Sequence, residues 1–453
     1  MSGGFMQFLQ LLAGLSFLIV LHEFGHFFFA RLFKTRVEKF YLFFDFLFPF
    51  SGLLNFSLFK KTKGDTEYGI GWFPLGGYVK ISGMVDESMD KEALAQPPQP
   101  WEYRSKKAYQ RLLIMLGGII MNVLAAIFLY MIIFSVWGEE YLPVQNLKYG
   151  IAVDSVGRGI GLQNGDMVKA IDGKPIERFN QIPLALILHN DNGTIAINRN
   201  GKDTILNIPL GTIGKIIKSK RGNVIAIRSF AVVDSVKPGS DADKAHLRKG
   251  DSIIAINSQP VIYNVDFTDT KDANAGKPVN ITFVRDNKID SVNSVFVKDS
   301  AFGIWWMSPD RYMSYVKIKY NPISAIGRGV SQTIEKVQLY VMQFKLFRSP
   351  EVKVNESLGG FGSMAKMYEP EFSWFSFLSL TAFISVALAF MNLLPIPGLD
   401  GGYVIFLLFE MITGKKVSER VMEISTTVGL VILLGLMLYV NGLDILRHFN
   451  IKF

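Results

Sequence analysis

The chain has 453 residues, 49% of them apolar, no cysteine and a formal charge of +9. That length leaves room for two to four domains, but the apolar excess excludes an ordinary soluble protein, and the missing cysteines exclude disulfides and thiolate metal sites. The basic residues sit beside apolar runs, so anionic lipid and membrane topology account for the charge, and no nucleic-acid partner is expected.

In chain order, the first stretch able to span a bilayer runs from about Phe5 to Phe33 and contains the uncharged run Leu11–Leu21. A cleavable signal peptide is the competing reading. It lacks its basic leading region here, since arginine first appears after the apolar run, at Arg31. The span carries His22-Glu23-Phe24-Gly25-His26. Residues four apart on a helix share a face, so both imidazoles can reach one metal ion, for which neutral imidazole suits Zn²⁺. The intervening Glu23 is placed to accept a proton from an attacking water. Leaving two histidines and a glutamate uncompensated in one turn of a membrane helix is expensive, on the order of 3 kcal/mol for a charged group on insertion scales. A metal removes that cost.

A basic segment follows, with Arg31, Lys34, Arg36, Lys39, Lys60, Lys61, Lys63, Lys106, Lys107 and Arg111. Within it, Tyr68 to Tyr78 is glycine- and aromatic-rich and reads as a β-hairpin, and Gln96-Pro97-Pro98-Gln99-Pro100 reads as a linker. The second span is about Ala108–Trp137 and includes Gly117-Gly118 and Asn122, small residues that suit close helix packing.

Between about Gly138 and Phe372 lies an internal repeat: LQNGDMVKAIDGKPI at 162–176 returns as LRKGDSIIAINSQPV at 247–261, and Val153-Asp154-Ser155-Val156 as Val233-Asp234-Ser235-Val236. Duplicated domains are implied. The pattern resembles PDZ domains, small β domains that bind peptide tails by adding a strand at a sheet edge. Asn321–Phe347 then has helical spacing with mixed polarity, expected as an amphipathic helix returning to the membrane.

The third span, about Trp374–Leu394, breaks at Leu394-Pro395-Ile396-Pro397-Gly398 and resumes as Gly402–Ile412; the fourth is about Ile424–Val440. Broken backbone at membrane depth is tolerated only against protein or a water-filled cavity. Asp400, in the break, is therefore the best candidate for the third metal ligand that a catalytic zinc requires, with Glu410 a weaker one. Zn²⁺ with Asp400 and Glu23 sums to neutral, which lowers the cost of burial. A helix-capping aspartate is the bland alternative. Lys415, Lys416 and Arg420 lie between the last two spans; the positive-inside rule then puts both basic segments in the cytoplasm and residues 138–372 outside.

Together the His-Glu-x-x-His motif, the repeated PDZ-like pattern and Asn392-x-x-Pro395-x-Pro397-x-Leu399-Asp400-Gly401 resemble the bacterial site-2 proteases, intramembrane zinc metalloproteases, over nearly the whole chain in order. The resemblance implies His22, His26 and Asp400 as zinc ligands, Glu23 as catalytic base and Asn392 as a residue that positions the substrate backbone. It likens Tyr68–Tyr78, with Gly69 and Gly71, to a membrane-reentrant hairpin whose edge strand meets the substrate. Asn122, expected with Asn392, Gly69 and Gly71 to bind substrate, is likened to the asparagine of a second-span motif, in which Gly117-Gly118 replaces the usual Gly-Pro. Leu358–Ser363 resembles the segment before the third span and is given no catalytic role.

The expected architecture is an α-helical membrane protein of four spans with a membrane-associated β-hairpin, plus two tandem PDZ-like domains. Its parts are residues 1–137 (two spans, cytoplasmic loop, hairpin), 138–225 and 226–315 (PDZ-like), 316–372 (amphipathic helix and linker) and 373–453 (two spans). The expected function is hydrolysis of transmembrane segments of single-pass proteins, after external trimming, in a bacterial inner membrane. The resemblance suggests anti-sigma factors or signal-peptide remnants as substrates. A non-catalytic PDZ scaffold with a structural metal is the alternative. A transporter is a third class, but the visible repeat lies in the soluble region and not among the spans.

Overall fold

A computed structural model of the protein describes residues 3–46, 54–74, 76–84, 97–189, 192–218, 224–297, 301–346 and 358–449; Leu75, Gln96 and Phe347, each inside an expected element, lie outside that set. The chain forms two compact units, one from Met1–Gly138, Lys319–Ser349 and Lys353–Phe453, the other centred on Glu139–Ile318.

In the first unit, α1 (Gly3–Leu32), α2 (Ala108–Val136), α5 (Trp374–Leu393) and α7 (Glu419–His448) each carry a segment long and apolar enough to cross a membrane. They match the four expected spans. Between them lie α3 (Pro322–Leu346), α4 (Phe361–Ala365) and α6 (Asp400–Thr413). α3 is the expected amphipathic helix. It packs on α2 through a small-residue stripe, Ala325, Gly329 and Thr333, all buried, while Ile323, Ile326, Val330 and Ile334 remain exposed. The segment around α4 links the ends of two spans. Ser363 donates to the Asp444 carboxylate from its amide at 2.7 Å and its hydroxyl at 2.6 Å, and Gln7 and Gln10 of α1 donate to the carbonyls of Tyr368 and Glu369.

Between α1 and α2 the chain makes a four-stranded sheet from β1 (Val37–Leu42), β2 (Ser57–Lys63), β3 (Thr66–Gly71) and β4 (Tyr78–Ile81), in the order β2-β3-β1-β4. β3 runs parallel to β1, and β4 antiparallel to it. This corrects the expectation of an edge strand at the start of Tyr68–Tyr78. The strand holding Gly69 and Gly71 is paired on both sides, and only Tyr78 begins an edge strand. The two glycines serve packing: a Cβ on Gly69 would fall on the Tyr41 ring, and one on Gly71 on the Phe44 backbone.

The second unit is closed by β5 (Glu139–Tyr141) pairing with β18 (Val316–Ile318). Its two cores share one element order, except that the first carries an additional helix, Thr212–Lys218, before its last strand. In the first, β6 (Ile151–Val153), a helix at Ser155–Gly159, β7 (Met167–Ile171), β8 (Lys174–Pro175), a helix at Gln181–Ile187, β9 (Thr194–Arg199), β10 (Lys202–Asn207) and β11 (Ile225–Ile227) follow one another. The second repeats this with β12 (Val233–Val236), a helix at Asp241–Lys244, β13 (Ser252–Ile256), β14 (Gln259–Pro260), a helix at Asn264–Ala273, β15 (Pro278–Arg285), β16 (Lys288–Val295) and β17 (Ile304–Trp306). β11 spans the expected boundary at 225 and belongs to the first core, where Ile225 packs with Val153 and Ile182.

The repeated Leu-x-x-Gly-Asp has one physical purpose in both copies. Asp166, 1% exposed, accepts two hydrogen bonds from the Arg199 guanidinium at 2.8 Å, and a third at 2.8 Å from the Gln163 amide. Asp251 does the same with Arg285 at 2.7 Å and the Arg248 amide at 2.7 Å. Bidentate, charge-assisted pairing satisfies a carboxylate buried beneath a turn. It also holds each arginine guanidinium above its ordinary pKa.

Candidate metal centre

The site begins where α1 and α2 touch. A Cβ on Gly25 would collide with the Gly117 backbone, and one on Gly117 with the Gly25 carbonyl. Only glycine on both helices permits this approach, the reason small residues recur at membrane helix crossings. α2 runs unbroken through Gly117-Gly118, so the departure from Gly-Pro leaves the helix continuous through the motif. Gly118 has a further use: its missing side chain leaves the space that the His22 imidazole fills.

The third candidate ligand comes from a break in the helix. α5 ends at Leu393, and Leu394 is extended. Pro395 and Pro397 cannot donate to a ladder, and Gly398 sits at φ +91°, a conformation open to glycine at little cost. α6 then starts at Asp400, whose carboxylate stands in its first turn. Gly401 and Gly402 lie against the carbonyls of Leu393, Leu394 and Ile396, and Gly429 of α7 lies against the Pro397 carbonyl. These close backbone contacts hold the break in place.

As a result His22 Nε2, His26 Nε2 and Asp400 Oδ2 form a triangle. Its edges are 3.2 Å between the imidazoles, 3.2 Å from His22 to Asp400 and 3.3 Å from His26 to Asp400. Tetrahedral ligands held at the usual zinc–nitrogen and zinc–oxygen distances stand about 3.3 Å apart. Asp400 Oδ2 is buried and accepts no hydrogen bond, so three electron-rich atoms converge on one point. His26 Nδ1 lies 2.8 Å from the Ile114 carbonyl, and since a carbonyl only accepts, Nδ1 carries the proton and Nε2 a free lone pair. The donor set and its spacing fit zinc.

A cleft of about 180 Å³ opens on this triangle, lined among others by Glu23, Val79, Asn392, Tyr403 and Thr426. The Glu23 carboxylate takes a hydrogen bond from the Val79 backbone amide, so the edge strand β4 reaches the site. Asn392, in the last turn of α5, is half-buried in the same cleft. The structure therefore brings His22, Glu23, His26, Asn392 and Asp400 together. It does not bring Gly69, Gly71 or Asn122 to the cleft lining. The two glycines lie in the interior strand, and Asn122 is fully buried behind His22, its side-chain amide 3.2 Å from Nδ1. Glu410 is spent elsewhere, in a pair with Arg111. Sequence reasoning missed Val79, because a backbone amide leaves no signature in residue type.

A buried His-Glu-x-x-His helix that meets an aspartate inside an apolar bundle defines the class: a membrane-embedded metallopeptidase. The profile of peptidase family M50 matches residues 10–436, and the chain belongs to that family. It is 30% identical to the regulator of sigma-E protease RseP of Escherichia coli K12, covering 94% of this chain and 96% of the relative. It is 28% identical to a protein named as a zinc metalloprotease from Neisseria meningitidis, with 95% and 96% covered, and 28% identical to another so named from Pasteurella multocida, with 97% and 99% covered. The chain is thus a multi-pass membrane zinc metalloprotease of the site-2 type, an enzyme and not a scaffold.

Proposed function

We propose that the protein cuts transmembrane segments of single-pass proteins in a bacterial inner membrane, with His22, His26 and Asp400 as zinc ligands and Glu23 as general base. The observation that carries this reading is the triangle of ligand atoms with Glu23 beside it in a cleft walled by membrane helices. Bound there, zinc supplies Lewis-acid polarisation of oxygen. Glu23, oriented by the Val79 amide, accepts the proton of the attacking water and returns it to the leaving amine. A helical substrate hides its carbonyls in its own hydrogen bonds, so it must unwind before reaching the site. The edge of β4 that is unpaired among the described residues offers backbone groups to the unwound stretch by strand addition, and Asn392 holds it from the opposite wall.

The two repeated cores are the PDZ-like domains of this reading, facing outward from the membrane and binding peptide tails. Supporting it, β11 and β17 each pair on one side only among the described residues, leaving an edge for a peptide. They would admit substrates whose external domain has already been trimmed, such as anti-sigma-factor-like proteins or signal-peptide remnants. The name borne by the Escherichia coli relative favours the first. The test is cleavage by the purified protein, with zinc, of a transmembrane substrate before and after external trimming. Cleavage of the trimmed form alone is expected; equal cleavage of both would remove the gating role, and cleavage of neither the proteolytic reading.

A further inference from the structure

We infer that Asn122 is a positioning residue for the metal centre: its side-chain oxygen accepts the Nδ1 proton of His22 and so commits Nε2 of that histidine to the ion. This rests on the metal reading above.

Asn122 is 0% exposed, on α2, and its side chain has one polar neighbour among the described residues, His22 Nδ1 at 3.2 Å. Its backbone carbonyl is separately engaged by the Ser385 hydroxyl at 2.7 Å, which anchors α2 to α5 at that level. The amide nitrogen Nδ2 faces the imidazole, while Oδ1 is buried without a partner. Oxygen and nitrogen of an amide are nearly the same size, so their assignment follows from the hydrogen bonds they can make.

His22 decides the matter. With nitrogen inward, Nδ1 must accept, the imidazole proton sits on Nε2, and it points at His26 Nε2 and Asp400 Oδ2. No lone pair is then left for a metal. With oxygen inward, Nδ1 carries the proton and Nε2 is free, the same tautomer that the Ile114 carbonyl imposes on His26. Either orientation leaves one amide atom unpaired, so burial alone does not choose; the ligand lone pair does. Gly118 completes the arrangement, because the ring rests where its Cβ would be. One face of α2 thus sets both imidazoles, one through a backbone carbonyl and the other through a side chain, a common arrangement behind metal-binding histidines.

The experiment measures zinc affinity of the full-length protein in detergent by competition with a chelator, for wild type, Asn122→Asp and Asn122→Leu. Unfolding of each metal-free form is followed in parallel. Asp keeps the acceptor and removes the N–H, whereas Leu removes both at similar size. The expected result is affinity within a few-fold of wild type for Asn122→Asp and a loss of about 10- to 100-fold for Asn122→Leu. Weak binding by Asn122→Asp would mean that nitrogen faces the ring, and it overturns the assignment. So does wild-type affinity in Asn122→Leu. If Asn122→Leu does not fold, the Asp variant alone decides. A wild-type protein that binds no stoichiometric zinc would instead sink the metal reading, a result separable from either variant's behaviour.

Discussion

His22 Nε2 stands 3.2 Å from Asp400 Oδ2, so a side chain of the first span meets one from the break that follows the third. Ion binding there ties α1 to α6, which also share a buried cluster that includes Ala30, Ile114, Tyr403 and Leu407. Metal removal should therefore affect both activity and stability.

Chelation is expected to abolish cleavage, and added zinc to restore it, in the wild type. Asp400→Ala removes one of three ligands and should not regain activity at zinc concentrations that restore the parent. The loaded wild type should also unfold at a higher temperature than its metal-free form, since a ligand that binds only the folded state stabilises it. Equal melting of the two forms, followed by circular dichroism, would contradict the bridging role.

Glu23→Gln should lower turnover of a transmembrane peptide by about 10²- to 10⁴-fold, the usual contribution of a general base. Zinc content, measured by atomic emission, should stay at the parental level because Glu23 is not one of the three converging atoms. A zinc-loaded variant with parental turnover would refute the assignment.

Val79→Pro tests the edge strand. The Val79 backbone is hydrogen-bonded to Glu23, and Val79 stands opposite Phe40 of β1 on an outermost strand of the sheet, where proline removes the donor at least cost to the fold. A hydrogen bond to a charged group contributes roughly 1.5–3 kcal/mol, so kcat/KM should fall by about 10- to 100-fold with zinc retained. Unchanged kcat/KM would show that the amide neither orients Glu23 nor serves the substrate.

Gly118→Ala places a methyl group where the His22 ring now lies. Crowding of this kind costs about 1–3 kcal/mol, and here it falls on a ligand. Zinc affinity should drop at least tenfold. Gly25→Ala, which forces the two helix backbones apart, should lower thermal stability as well. Parental zinc affinity in Gly118→Ala would mean the ring relaxes without cost.

Asp166→Ala leaves the Arg199 guanidinium without its buried partner and should destabilise the first β core by about 2–3 kcal/mol. Hydrogen exchange should accelerate across β7 and β9 and remain slow in β13 and β15, which depend on Asp251 and Arg285. Exchange that accelerates equally in both cores would show that they unfold as one.

The residue order alone determined the four spans, because a length of apolar chain is a local property that no packing can hide. It also determined the helical pairing of His22 and His26, which follows from the 3.6-residue turn, and the break before Asp400, which follows from prolines that cannot donate and a glycine free to turn left-handed. The repeat was visible as well, although not the arginines that the two aspartates need, since Arg199 and Arg285 lie two strands away. Tertiary structure decided the rest. Which strand of the small sheet faces the cleft depends on pairing order, and that order places Gly69 and Gly71 inside and Tyr78–Ile81 at the edge. That Val79 of β4 lines the cleft, and that Asn122 stands behind His22 and outside the cleft lining, depends on which surfaces meet. Helix packing set by Gly25, Gly117 and Gly118 created those neighbours, and spacing along the chain carries no record of them.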